Sequence, residues 1–388
     1  MNYSIRNMVI VFLAALLLLG ISGCTVKNEQ FSPVNPAAVG GSGTANSLDP
    51  QEANAGADSS PDKAAPDSRT ASAGEDANGA QSGAVSSAGV DNARQSQISN
   101  TAKGTVSLLI SRNYGRQNLI REHISLEPGW TILDVLNTSA QVTTKWDGSF
   151  VDSINGMQSN SGGLTGKNHD WFYFINGICA DVGAPEYILR AGEKVWWDYH
   201  AWGNTGLTNP AVIGCYPEPF VHGYRGKSGP TTVMSSAANS SLAQAVQQAL
   251  QAQGAASVQC SALNNELLQN RPGPIIVVGT WDELKQLPWL DGFNKSFRKN
   301  GTSVHFKDDG VELLDGRGKV IQNSGPGTGI IAASAAGLGN YKVLWLLAGT
   351  DQNGLQNAVN TMVHHPQQLN GLYHAAVISG QVIRLPLE

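Results

Sequence analysis

Between Val195 and Trp202 the chain reads Val-Trp-Trp-Asp-Tyr-His-Ala-Trp, which places three indoles, a carboxylate and an imidazole within one short stretch. In an extended strand successive side chains alternate between faces. Val195, Trp197 and Tyr199 then share one face, and Trp196, Asp198 and His200 the other, with Trp202 just beyond. The first face reads as core. The second mixes rings with an acid and a base, a combination suited to gripping a planar, partly polar ligand. The alternative is that Trp196 and Trp202 cover an exposed sheet face or a domain interface. On the ligand reading, Trp196→Ala weakens capture with little change in thermal midpoint, whereas Trp197→Ala costs about 3 to 5 kcal/mol as a core truncation.

The neighbouring segments supply the frame for that strand. Thr105 to Ile110 is β-rich, a turn falls around Asn113 to Gly115, and Leu119 to Leu126 resumes alternation, which predicts a hairpin. Pro128 and Gly129 break it. Thr131 is placed to cap a helix with Asp134 in the first turn, and Ile132, Leu133, Val135 and Leu136 supply its apolar face. Strand signals return at Phe150 to Ile154, Trp171 to Ile175 and Lys194 to His200. The stretch Trp171 to Ile175 is apolar throughout, as expected of a central strand covered on both sides, and Asn176-Gly177 signals a two-residue type I′ turn. Two strands, a helix and further strands is the order of a β-grasp fold.

The run Gly129-Trp130-Thr131-Ile132-Leu133-Asp134-Val135-Leu136, then Trp171 through Gly177, then Gly183, Tyr187, Gly192-Glu193 and Val195-Trp196-Trp197 resembles the DUF4430 domain. That family is similar to the C-terminal β-domain of transcobalamin and intrinsic factor and belongs with the soluble ligand-binding β-grasp group. The resemblance implies capture of a ligand, cobalamin or a related corrinoid, without chemistry on it. It also implies that the end of the 171–175 strand lies near the ligand, which adds Trp171, Tyr173 and Asn176 to Trp196, Asp198, His200 and Trp202 as site residues. Asn176 has a second reading as the turn residue alone. The helical barrel that makes most vitamin contacts in transcobalamin has no counterpart in this sequence. The spacing of His169, His200 and His222 does not demand cobalt ligation, so no metal site is assigned.

At the amino end an uncharged run from Met8 to Leu19 follows the single basic residue Arg6 and leads into Ile21-Ser22-Gly23-Cys24. The run is short for a span, which needs about 20 apolar residues, and suits a secretory signal. Ile21 to Cys24 resembles a bacterial lipobox, which makes 1–23 a lipoprotein signal peptide and Cys24 the lipid anchor. Residues 24–103, rich in Ala, Gly, Ser, Asn, Asp and Pro, lack the apolar content to order themselves and read as a disordered tether. Residues 104–228 form the β-grasp ligand-binding domain, closing with a Pro-rich extension that contains Tyr216-Pro217-Glu218-Pro219-Phe220.

From 229 to 388 strand and helix signals alternate: Thr231 to Met234, Leu242 to Leu250, Ile275 to Val278, a Thr280/Glu283 capping box, Val343 to Ala348, and a helix capped by Asp351. The alternation predicts an α/β domain with a mainly parallel sheet, with hairpins at 304–320 and 375–385 adding antiparallel edge strands. The overall expectation is an α+β β-grasp-like domain followed by that α/β domain. Gly325-Pro326-Gly327-Thr328-Gly329 has the glycines of a phosphate cradle but not the Lys-Ser/Thr of a P-loop, which favours a turn.

Cys179, Cys215 and Cys260 allow at most one disulfide or three free thiols. A net charge of −5 and the lack of a basic patch argue against nucleic acid as a partner. No nucleophile elbow, zinc pair or flanked carboxylate dyad is present, so the chain reads as a non-enzyme requiring no cofactor. The reading is an extracytoplasmic protein, lipid-anchored to the membrane, that captures a corrinoid for an uptake transporter. The alternative is a surface protein binding a cell-wall polymer or a partner protein through the same aromatics.

Overall fold

The computed structural model describes residues 104–146, 148–161, 168–202 and 209–388. The segments expected to be a signal peptide (1–23) and a tether (24–103), with Cys24, lie outside the described residues. Met1–Ser99 and Asn100–Glu388 are separate units, and every described residue belongs to the second.

The first sheet is built on β1 (Thr105–Arg112) and β2 (Gln117–Ser125), an antiparallel hairpin. Asn113, Tyr114 and Gly115 turn it with positive φ. After the hairpin comes α1 (Ile132–Ser139), which starts where the sequence predicts. Thr131 accepts from the Asp134 amide while the Asp134 carboxylate accepts from the Thr131 amide, a closed capping box. Thr131→Ala should lower stability by about 1 kcal/mol in urea unfolding, the usual cost of losing such a cap. Ile132, Val135 and Leu136 are buried against the sheet.

Next come β3 (Asn168–Ile175) and β4 (Lys194–Trp202). The strand order is β2-β1-β4-β3, then the short strand Asn160–Ser161. β4 pairs parallel with β1 and antiparallel with β3. The central strand is therefore β4, and β3, expected to be covered on both sides, keeps Phe172 and Tyr173 half-buried. Three short antiparallel strands, Val142–Lys145, Phe150–Ile154 and Met157–Gln158, form a separate small sheet.

The second large sheet comprises β5 (Thr231–Ser235), β6 (Val258–Ala262), β7 (Ile275–Thr280), β8 (Thr328–Ser334), β9 (Leu344–Gly349), β10 (His374–Ile378) and β11 (Gln381–Leu385). Its order is β6-β5-β7-β9-β8-β10-β11. Helices α2 (Ser240–Ala252) and α3 (Gln352–His364) pack on it, with Val246, Leu250, Leu355, Val359 and Met362 buried.

This sheet corrects the expected fold class. Pairings β5/β6, β5/β7 and β7/β9 are parallel, but β8/β9, β8/β10 and β10/β11 are antiparallel. With a further antiparallel sheet over Val304–Lys307, Gly310–Leu314 and Val320–Ser324, the chain is dominated by antiparallel and mixed sheets. No mainly parallel α/β domain follows an α+β one. The cause is connection length: a parallel return needs a dozen or more residues. Only residues 335–343 separate β8 from β9, and the two-residue Ser379-Gly380 turn, with both φ positive, joins β10 to β11.

One apolar cluster runs through both large sheets. It includes Val106, Ile110 and Trp197 from the first, Ile276, Ile331 and Trp345 from the second, and Tyr216 and Phe220 from the Pro-rich stretch between them.

Candidate functional site

The register of the first sheet defines two faces. Trp197 lies beside Ile110 and Tyr173, and Tyr199 beside Trp171. This face carries Val195, Trp197 and Ile110 into the main cluster, with Tyr199 packed at its margin. Trp171 and Tyr173, expected beside the ligand, fall on this core face. Trp171 Nε1 donates to the Met157 carbonyl at 2.9 Å, and Tyr173 stacks on Trp197 at 4.5 Å with its hydroxyl donating to the Val182 carbonyl. Asn176 is fully buried. Its side chain accepts from the Lys194 amide at 2.8 Å and donates to the Gly223 carbonyl at 2.7 Å, so it ties the turn to the Pro-rich stretch and offers nothing to a ligand.

The opposite face carries Ser107, Leu109 and Ser111 from β1, His123 and Arg121 from β2, Lys194, Trp196, Asp198 and His200 from β4, and Phe174, Phe172 and Asp170 from β3. This is the face expected to be open, and its Asp198 end is closed. Trp196 is 1% exposed, packed edge-on against Tyr373 at 5.1 Å and near Phe174 at 5.6 Å. Leu109, Cys179, Val212 and Cys215 complete this small cluster. Trp202 is half-buried, its Nε1 donating to Asp170 Oδ2 at 2.5 Å.

Asp198, 0% exposed, is the hub of the closed end. Its Oδ1 accepts from Ser111 Oγ at 2.5 Å and the Gly115 amide at 2.9 Å. Its Oδ2 accepts from the Tyr114 amide at 2.9 Å, His200 Nδ1 at 2.9 Å and the Tyr373 hydroxyl at 3.3 Å. Trp196 Nε1 donates to Ser111 Oγ at 2.8 Å. The His200 ring lies between Phe172 and Tyr114, at 4.3 Å from each. Burial and the Asp198 charge push the Tyr373 hydroxyl well above the usual phenol range. A carboxylate with this many donors is satisfied by its own protein. Ser111, His200 and Asp198 also do not form a nucleophile relay, because serine and histidine both bond to the aspartate rather than to each other.

The cover comes from the carboxy-terminal part of the chain. Arg384 Nη1 donates to the carbonyls of Gly115 and Gly371 at 2.9 and 2.6 Å, and Arg116 Nη2 to the Pro386 carbonyl at 2.6 Å. A Cβ on Gly115 would sit 2.2 Å from the Gly371 carbonyl oxygen, so the two turns touch where only glycine fits.

The other end of the same face stays open as a groove of about 260 Å³. Leu109 and Trp196 floor it with Gly214, Cys215 and Asn370, and Arg121, His123 and Lys194 bring three basic side chains to it. Lys194 Nζ donates to the Tyr216 carbonyl at 2.8 Å, and His123 Nδ1 lies 3.2 Å from Ser107 Oγ. Arg121 is exposed, and its side chain makes no hydrogen bond or ion pair among the described residues. Glu122, the acidic residue between Arg121 and His123, turns its carboxylate to the opposite face, where it accepts from Ser139 Oγ of α1 at 2.7 Å. Burial pushes the Cys215 thiol up to about 11, so it sits in the wall as a neutral group. Alternation along 119–126 already puts Arg121 and His123 on one side, and Lys194 shares the parity of Trp196. Asn370 and Tyr373 carry no such signal.

Elsewhere the described residues hold no cluster of three His, Cys, Asp or Glu able to take a metal, and Cys179, Cys215 and Cys260 are free thiols. The Gly325–Gly329 turn leads into a strand, and Asp351 Oδ2 accepts from the Gly327 amide at 2.8 Å, placing a carboxylate where an anion would sit.

The first sheet with its single capped helix and polar groove thus defines a small mixed-sheet module. Residues 129–201 match the family described as Domain of unknown function (DUF4430), so the chain carries a DUF4430 domain there. Among solved structures it is similar to a protein provisionally named as metal binding, from Ruminococcus gnavus ATCC 29149. That likeness has 10% identity and a TM-score of 0.20, and covers 25% of this chain and 95% of the other. No curated protein matches the chain.

Proposed function

We propose that this is an extracytoplasmic, lipid-anchored, non-catalytic protein that captures a small anionic ligand, or the anionic edge of a larger flat one, in the open groove of the first sheet. The observation that carries the reading is Arg121, unpaired among the described residues, converging with His123 and Lys194 on a groove floored by the buried Leu109, Trp196 and Cys215. Basic side chains meeting at a groove whose neighbouring carboxylate is already engaged favour an anion. Cys24 and the segment before it support the export and anchoring half of the reading.

Corrinoid capture is the more specific form of this function. The groove, at about 260 Å³, falls below the roughly 300 to 1,000 Å³ of ligand pockets, so a cobalamin would be held by its phosphodiester and one edge rather than enclosed. Delivery to an uptake transporter would follow from the tether.

Calorimetry on the full chain, with cyanocobalamin and inorganic phosphate titrated separately, tests the reading. Binding of at least one is expected, weakened about tenfold or more in Arg121→Gln, equivalent to about 1.4 kcal/mol. Heat from phosphate alone would retain the anion site and reject the corrinoid. Silence from both up to about 1 mM, a level corresponding to only about 4 kcal/mol of affinity, rejects the groove and leaves retention on cell-wall material as the rival to pursue.

A further inference from the structure

Four large apolar side chains are exposed among the described residues: Trp146, Ile188, Ile321 and Leu338. Isolated exposed hydrophobics are ordinary. Two of these are not isolated. Trp146, 63% exposed, sits at the tip of the hairpin between Val142–Lys145 and Phe150–Ile154 and packs on Phe150 at 5.1 Å. The same tip reaches α1: a Cβ on Gly148 would lie 4.0 Å from Leu133 Cδ2. It also reaches the stretch leading to Ile188, since a Cβ on Gly183 would lie 3.0 Å from the Ser149 carbonyl oxygen. Ile188, 60% exposed, bridges to Thr131 at the start of the same helix. Half-buried Trp130 and Leu133 flank Thr131 and Ile132 at the start of that helix.

The same end receives the upstream chain. The Gly104 carbonyl accepts from the Leu126 amide and the Thr105 carbonyl from the Gly192 amide, each at 2.8 Å. Gly104 packs so tightly on Ala191 that a Cβ there would come within 2.2 Å of the alanine methyl. The first described residue thus enters the fold three positions from Ile188. The sequence leading to it contains Ile21 to Cys24, read above as the lipid attachment. Charges around the patch are mixed: Lys145 pairs with Asp152 at 2.6 Å, Arg190 is exposed, and Asp134 and Glu186 are exposed acids. Apolar insertion, not charge, is the attraction on offer.

We propose that this end of the folded body docks on the lipid surface to which the chain is tethered, seating Trp146 and Ile188 at the headgroup level. Tryptophan favours that interface because its ring is apolar and its N–H can stay hydrated. Two shallowly inserted side chains bind weakly, so docking depends on the high local concentration a tether provides. The proposal rests on the lipid-anchor half of the proposed function and is independent of the groove.

The test uses the lipidated full chain on phosphatidylethanolamine–phosphatidylglycerol vesicles with bromine on the acyl chains, reading tryptophan emission and vesicle co-sedimentation together. Wild type should co-sediment and be quenched. Trp146→Ser should co-sediment equally and lose most of the quenching, and Ile188→Asp should reduce quenching while leaving the circular dichroism spectrum unchanged. Equal quenching in wild type and Trp146→Ser, or co-sedimentation without quenching, overturns docking while leaving the anchor standing. A chain that does not co-sediment overturns both, whatever the calorimetry of the groove has returned.

Discussion

Alanine at position 196 should lower stability by about 3 to 5 kcal/mol, as much as alanine at position 197, because both indoles are core rings. Trp197 packs in the main cluster at 2% exposure, as the alternation predicts. Trp196, expected on an open face with little influence on the thermal midpoint, is 1% exposed. Removing it empties space beneath Tyr373 and Phe174 and deprives Ser111 Oγ of its donor, while Ser111 must still hold Asp198. The damage should spread through the Asp198 hub to Tyr114 and His200. Trp196→Phe, which keeps a ring but loses the N–H, should cost less than the alanine change. Urea unfolding of the three variants decides it. A loss below about 1 kcal/mol for Trp196→Ala, beside a full loss for Trp197→Ala, would return the 196 indole to the surface. Ligand affinity for Trp196→Ala is then interpretable only after the folded fraction is known.

How much of this was legible beforehand depends on the range of the interactions. The hairpin, the Thr131 cap with Asp134, and the strand expected over 194–200 with its two faces rest on neighbours a few residues apart; each stands where the sequence puts it, the strand running on to Trp202. The Asp351 cap and the Thr280–Glu283 box are equally local. What covers a face is not local. Tyr373 reaches Asp198 across 175 positions, and Arg384 reaches the Gly115 carbonyl across 269. No period or cap in a single chain encodes that approach, so alternation alone presents as open a face that the fold closes at one end.

Sheet direction failed for a related reason. The buried runs at 275–278 and 343–348 do pair in parallel, but the strand 328–334 lies antiparallel beside the second, and the short 335–343 connection is the feature that discriminates. Trp171 and Tyr173 joined the site by resemblance, against a parity that pairs them with Tyr199 and Trp197. The groove residues Arg121 and Lys194 obey that parity and needed only the hairpin register to be brought together.

Acid should destabilise the folded unit through His374, and by a large amount. This imidazole is fully buried where β10 meets β8. Nδ1 accepts from the Ala333 amide at 3.2 Å and Nε2 donates to the Gly301 carbonyl at 2.7 Å, with Asn209 Nδ2 at 3.2 Å on the same side. A proton on Nδ1 would meet the Ala333 N–H head-on. Burial, only partly offset by the Gly301 carbonyl, pulls the pKa down to about 3 from the ordinary 6.5. The unfolded chain takes up a proton on this residue near pH 6.5 and the folded chain not until about pH 3. Between those limits the unfolded state binds more protons, so stability falls as pH falls. From about pH 7.5 to about pH 5 the loss from this one group is about 2 kcal/mol. Urea unfolding at the two pH values should show it in wild type. His374→Gln, less stable at the higher pH because it cannot reproduce both hydrogen bonds, should lose about 2 kcal/mol less between them. If variant and wild type decline in parallel, the proton uptake that unfolds the protein occurs elsewhere, and the neutral ring between Ala333 and Gly301 is not its sensor.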